Sequence, residues 1–128
     1  MNLKEIEERV ADVRAAEGSE FLFELLRAYG IPKASITRLR SGSYNRSDQE
    51  GEYLWRGKVY YRSLDCPDEE LYAAVDATKA EERIVREHPR FAIARNETRL
   101  VAADLDTGDA LDIEIKKLGP DAASSGGG

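Results

Sequence analysis

A chain of 128 residues, 41% apolar and 34% charged, is enough polypeptide for one domain that buries roughly two-thirds of its unfolded surface without metals or disulfides. No apolar run approaches the ~20 residues of a membrane span and the acidic amino terminus is not a signal peptide, so a cytoplasmic protein with no membrane partner is expected. The net charge of −6 argues against a nonspecific nucleic-acid binder, which is normally basic overall.

In chain order, Leu3, Ile6, Val10 and Val13 recur at helical spacing and predict an amphipathic helix over residues 3–16 that ends near Gly18. Ser19 is a natural N-cap for a second helix running to about Tyr29, with Phe21, Leu22, Leu25 and Leu26 inward. Gly30 suits the left-handed position that stops a helix, and Pro32 starts a third, where its missing N–H costs little. The stretch from Ser41 to Gly51 is polar and glycine-punctuated, a loop. Tyr53–Trp55 and Val59–Tyr61 are aromatic and β-branched, and read as one strand or a hairpin through Arg56-Gly57.

Pro67 opens a fourth helix with Asp68, Glu69 and Glu70 in its first turn, where the helix dipole favours acids. Its inward face holds Leu71, Val75 and Ile84, and Pro89 ends it, with His88 suited to the negative helix terminus. Three strands follow: Phe91–Ala94, Arg99–Leu105 and Ala110–Lys116, an antiparallel meander. The expected class is α+β: amino-terminal helices including a helix-turn-helix-like pair, then a small, mostly antiparallel sheet with one packed helix. Residues 1–118 form the single domain. Residues 119–128, rich in Gly and Ser, have no apolar periodicity and are expected to be a disordered tail.

The segment 21–42 has the shape of a helix-turn-helix, which places a helix in a DNA groove. Leu25, Ile31, Ile36 and Leu39 fall where that motif needs apolar residues. Ile36 and Leu39 set the inner side of the third helix, Thr37, Arg38 and Ser41 point outward, and Lys33 and Arg40 flank them. One departure is Leu26, at a position that usually holds alanine. The loop just beyond carries Tyr44 and Arg46. The candidate DNA-contacting set is Lys33, Thr37, Arg38, Arg40 and Arg46, because hydroxyl, ammonium and guanidinium groups reach phosphates and base edges. The charge distribution agrees. Residues 31–62 carry seven basic against three acidic side chains, net +4, whereas residues 1–30 carry −3 and residues 63–128 carry −7.

Other constellations are weaker. Asp104, Glu114 and Lys116 have the D…E-x-K arrangement of Mg²⁺-dependent nucleases, but Asp104-x-x-Thr107-Gly108 is also a common hairpin turn. Cys66 and His88 are each the only one of their kind, which leaves no disulfide, no cysteine zinc cluster and no His-His metal site. Trp55, Tyr60 and Tyr61 read as sheet core, although interleaved Arg56, Lys58 and Arg62 also suit a single-strand surface. No catalytic residue, metal site or cofactor is expected.

Three pieces of the chain, 21–39, then 51–55 with 58–62, then 89–91 with 104–113, resemble the amino-terminal region of type IIG-like single-chain restriction-modification enzymes. The main domain of those enzymes is an adenine-specific DNA methyltransferase. The resemblance covers about residues 19–116. It implies a DNA-binding accessory or amino-terminal module of a restriction-modification defence system, with DNA and a methyltransferase or restriction subunit as partners. The Asn-Pro-Pro-Tyr-type motif is absent, so methyl transfer does not carry over, and the chain alone is not expected to be an enzyme. Two alternatives stay open: a non-catalytic domain docking on a methyltransferase chain, and a small Mg²⁺-dependent nuclease.

Overall fold

A computed structural model describes residues 3–13, 18–28, 30–49 and 51–115. Five helices and a five-stranded sheet follow one another as α1 (Leu3–Val13), α2 (Gly18–Ala28), α3 (Lys33–Ser41), β1 (Glu52–Trp55), β2 (Val59–Ser63), α4 (Asp68–Lys79), α5 (Glu82–Glu87), β3 (Phe91–Arg95), β4 (Arg99–Asp104) and β5 (Ala110–Glu114). The class is α+β. The far end of the first helix, the capping side chain of Ser19, Lys116 and the 119–128 tail lie outside the described residues.

The strands lie in chain order, β1-β2-β3-β4-β5. All neighbours are antiparallel except β2 and β3, which run parallel with Val59 opposite Phe91. A parallel pair needs a crossover, and the segment carrying α4 and α5 supplies it. The meander of β3, β4 and β5 is as the sequence leads one to expect.

Alternation along the central strands sorts side chains to two faces. Val59 and Tyr61, Phe91 and Ile93, and Leu100 and Ala102 face the amino-terminal helices, where they meet Ile6, Phe21, Leu25, Ile36 and Leu39. The intervening Ala94, Val101 and Ala103 pack on Leu71 and Val75 of α4, while Leu54, Tyr60 and Ala92 pack on Ile84 of α5. The sheet is therefore covered on both sides, which is why β3 is buried at every position.

Two helices, not one, cover the second face. The expected fourth helix breaks after α4, at Ala80 and Glu81, although neither glycine nor proline stands there. Tertiary contacts decide it. Leu71 and Val75 must sit over β3 and β4, whereas Ile84 must sit under the β1–β2 hairpin, and a straight helix does not serve both. Thr78 donates its hydroxyl back to the Ala74 carbonyl at 2.8 Å and the Glu81 N–H bonds the Thr78 carbonyl, closing the first helix. α5 ends at His88, which takes the left-handed conformation (φ 53°) and donates its N–H to the Ile84 carbonyl.

Candidate nucleic-acid interface

α3 starts at Pro32, whose fixed φ suits a helix entry, and stops at Gly42, whose φ of 101° excludes side chains that need a right-handed backbone. Before it, Gly30 at φ 89° ends α2, and its N–H bonds the Arg27 carbonyl. Ile36 and Leu39 are buried, while Lys33, Thr37, Arg38, Arg40 and Ser41 are exposed. The periodicity read from sequence gives this division correctly. α2 and α3 both set their apolar faces into one core, and Leu26, which stands where the motif usually holds alanine, is buried there.

The five candidate contact residues differ in their surroundings. Lys33 and Thr37 line a groove of about 500 Å³ between α2 and α3, floored by Phe23 and Ile36. Arg38 donates to the Tyr44 hydroxyl at 3.0 Å, and Tyr44 stacks on Trp55 with ring centroids 5.5 Å apart. Arg40 is held: its two terminal nitrogens reach the Glu20 carboxylate at 2.6 and 3.4 Å, and its guanidinium lies 4.2 Å over the Phe23 ring. The hydrogen bond it donates to Glu20 raises its already high pKa. Arg46 is exposed, with its Nε 3.7 Å from Glu87. Arg38 thus leans on the Tyr44–Trp55 stack, Arg46 reaches toward α5, and Arg40 turns back onto α2.

The loop behind α3 is ordered by a polar network that the sequence did not reveal. Asn45 accepts the N–H groups of Ser47 and Leu54 and donates to the Glu52 carbonyl. The Glu52 carboxylate, 1% exposed, accepts from Ser47 Oγ and Tyr60 OH, each at 2.5 Å, and from both terminal nitrogens of Arg83 at 2.6 and 2.7 Å. Burial alone would raise this carboxyl; the hydrogen bonds from Arg83, Ser47 and Tyr60 outweigh it and hold the pKa at about 2. Burial and the neighbouring carboxylate push the Tyr60 phenol upward. Glu52 is therefore a fixed internal anion that ties the loop, β1, β2 and α5 together. The surrounding apolar residues gave no warning of it.

Asp104 and Glu114 are not brought together. β4 and β5 pair Ala103 with Ala110 and Arg99 with Glu114, which sets the two carboxylates at opposite ends of the hairpin. Asp104, 4% exposed, accepts hydrogen bonds from Arg90 Nε and one terminal nitrogen, each at 3.0 Å, and caps the N–H groups of Asp106 and Thr107. The Arg90 hydrogen bonds, joined by those two N–H groups, hold it at about pKa 2 against the upward push of burial. The hairpin-turn role read from Asp104-x-x-Thr107-Gly108 is the one found. Among the described residues no group of three His, Cys, Asp or Glu side chains is placed to hold a metal ion, and no helix is long and apolar enough to cross a membrane.

A family model described as "MmeI, N-terminal domain" matches residues 1–122. DNA methyltransferase A of Bacillus subtilis (strain 168) is 29% identical over 119 residues, covering 92% of this chain but 13% of that protein's length. No solved structure matches.

Proposed function

The chain belongs to the family of MmeI N-terminal domains, the amino-terminal region of type IIG restriction-modification enzymes that its sequence resembles, and from that premise we propose that it is a DNA-contacting module. Residues 1–118 act as one folded unit that lays the exposed side of α3 and the following loop against a duplex. The observation that carries this is the disposition of charge. Lys33, Thr37, Arg38 and Arg46 reach solvent, while Glu52, one of the three acids in the basic window, is buried against Arg83. Glu20 and Glu87 lie against Arg40 and Arg46, so the positive field that DNA meets is set mainly by Lys33 and Arg38.

Lys33 and Arg46 neutralise phosphates, Thr37 donates its hydroxyl, and Arg38 offers the fork that suits phosphate or guanine. Arg40 joins only by leaving Glu20. The acidic remainder of the surface keeps indiscriminate binding weak. No catalytic role is assigned to the chain.

Fluorescence anisotropy of a labelled duplex at several salt concentrations tests this. Neutralising three to five phosphates gives a log–log slope of about −3 to −4.5; salt-independent or absent binding at low salt overturns it. A docking domain for a methyltransferase chain is the second reading, favoured by Val85 and Tyr72, large apolar side chains 64% and 42% exposed on α5 and α4. It requires complex formation in trans without DNA affinity.

A further inference from the structure

A cavity of about 380 Å³ opens where the α2–α3 turn, the β1–β2 turn and the start of β3 meet. Its floor is apolar: Leu26, Ile31, Val59 and Phe91. One wall is Trp55, half-buried and stacked on Tyr44. Its rim is polar, formed by Lys58, His88, Arg90 and Asp106. The β1–β2 turn that presents Lys58 is fixed, because Gly57 at φ 72° donates its N–H to the Glu87 carbonyl and the Lys58 carbonyl accepts the N–H groups of Arg90 and Phe91. Asp106 lies 3.6 Å from His88 Nε2 and 3.4 Å from Arg90 Nε. The rim thus holds one acceptor among donors.

An apolar slot with an aromatic wall and a few polar groups at its mouth is the general form of a small-ligand site, whose volumes run from about 300 to 1,000 Å³. The chemistry here narrows the class. The indole, with Tyr44 stacked on it, offers an aromatic wall, the ammonium of Lys58 offers an anion contact, and the Asp106 carboxylate offers an acceptor for an amine. A planar, amine-bearing, anionic ligand satisfies all three. We propose that this cavity is a nucleotide pocket, taking a base against Trp55 and its phosphate at Lys58.

Two sources supply that chemistry: a free nucleotide, or an unpaired nucleotide in a DNA strand. Contiguity favours the strand. Arg38 of α3 bonds Tyr44, Tyr44 stacks on Trp55, and Trp55 lines the cavity. A strand lying along Arg38 would deliver one unstacked base to Trp55, in the way aromatic platforms hold single strands. The strand-borne form rests on the proposed α3 contact; the pocket itself does not.

Trp55 is the chain's only tryptophan, so its fluorescence reports on the cavity directly. The probes are dAMP, a fully paired duplex, and the same duplex with one bulged adenosine, each titrated against the full chain. Quenching by the bulged duplex, with about tenfold tighter binding than the paired one, is expected. Lys58→Ala, at an exposed turn position, should erase that preference, and Lys58→Arg should restore it. Arg38→Ala should weaken both duplexes alike. Quenching by dAMP without discrimination between duplexes keeps the pocket and assigns it to free nucleotide. Unchanged Trp55 fluorescence with every probe, or a bulge preference indifferent to Lys58→Ala, overturns the proposal. Loss of paired-duplex binding alone would sink the α3 contact and leave the dAMP arm standing.

Discussion

Arg83 and Glu52 meet as two parallel hydrogen bonds, 2.6 and 2.7 Å long, across 31 residues of sequence. The carboxylate is 1% exposed and the arginine side chain 25%. Removing one partner of a buried pair leaves the other charged and desolvated, which commonly costs about 3–5 kcal/mol. The partial exposure of Arg83 lets water in, so Arg83→Ala should cost roughly 2–3 kcal/mol. Urea denaturation followed by circular dichroism measures it. A loss below roughly 0.5 kcal/mol, the scale of an ordinary surface substitution, would show that the pair does not fasten α5 to the sheet.

The same carboxylate fixes a pH dependence. Its folded pKa is about 2 against an ordinary 4.5, so the folded state binds the proton less readily than the unfolded chain. The stabilisation is fully present above about pH 4.5 and drains away as pH falls toward 2. Asp104, also held near 2, adds in the same direction. Thermal melts from pH 7 to pH 2.5 should show stability falling mainly below pH 4.5. Glu52→Gln should be less stable at pH 7 and should show a shallower fall. A variant with the wild-type acid slope would exclude Glu52 as its source.

Much of the architecture was legible because it is written in local patterns. Gly30, Pro32 and Gly42 punctuate the helices through backbone geometry, and Ile36 and Leu39 mark the inner side of α3 at helical spacing. The hidden features are long-range. The parallel pairing of β2 with β3 joins segments separated by two helices, and no local period encodes which strand is a neighbour. The break at Ala80 is imposed by where Ile84 must pack. For the candidate interface, the exposure of Lys33, Thr37 and Arg38 followed from period. The attachment of Arg40 to Glu20 did not, since the two lie 20 residues apart. The cavity beside Trp55 is assembled from separate turns and has no contiguous signature.

Asp104 and Glu114 should behave as unrelated residues. Asp104 caps a turn and binds Arg90, so Asp104→Ala should cost about 1–2 kcal/mol through unsatisfied donors. Glu114 stands exposed at the far end of β5, and Glu114→Gln should shift stability by less than about 0.5 kcal/mol. Neither should alter a DNA substrate incubated with Mg²⁺ and the protein. Cleavage by the wild type that Glu114→Gln abolishes would mean that a nuclease centre assembles on the β4–β5 hairpin after all.

The four cations of α3 and its loop should separate in a salt titration. Lys33→Ala and Arg38→Ala should each flatten the log–log slope by about one unit if each neutralises one phosphate, and Arg46→Ala, whose Nε lies 3.7 Å from Glu87, should do somewhat less. Arg40 is held more tightly still, because Glu20 neutralises it at 2.6 Å. Arg40→Ala should therefore change the slope less than Arg38→Ala. Glu20→Gln should do the opposite: it removes an anion from the surface and frees the guanidinium. Affinity should rise by about two- to tenfold at low salt, with a slope steeper by up to about one unit. Glu20 is exposed, so the fold should tolerate the change. Weaker binding by Glu20→Gln would indicate that Arg40 is useful only while Glu20 holds it in place. A slope unchanged across all four cation variants would move the DNA contact away from α3 altogether.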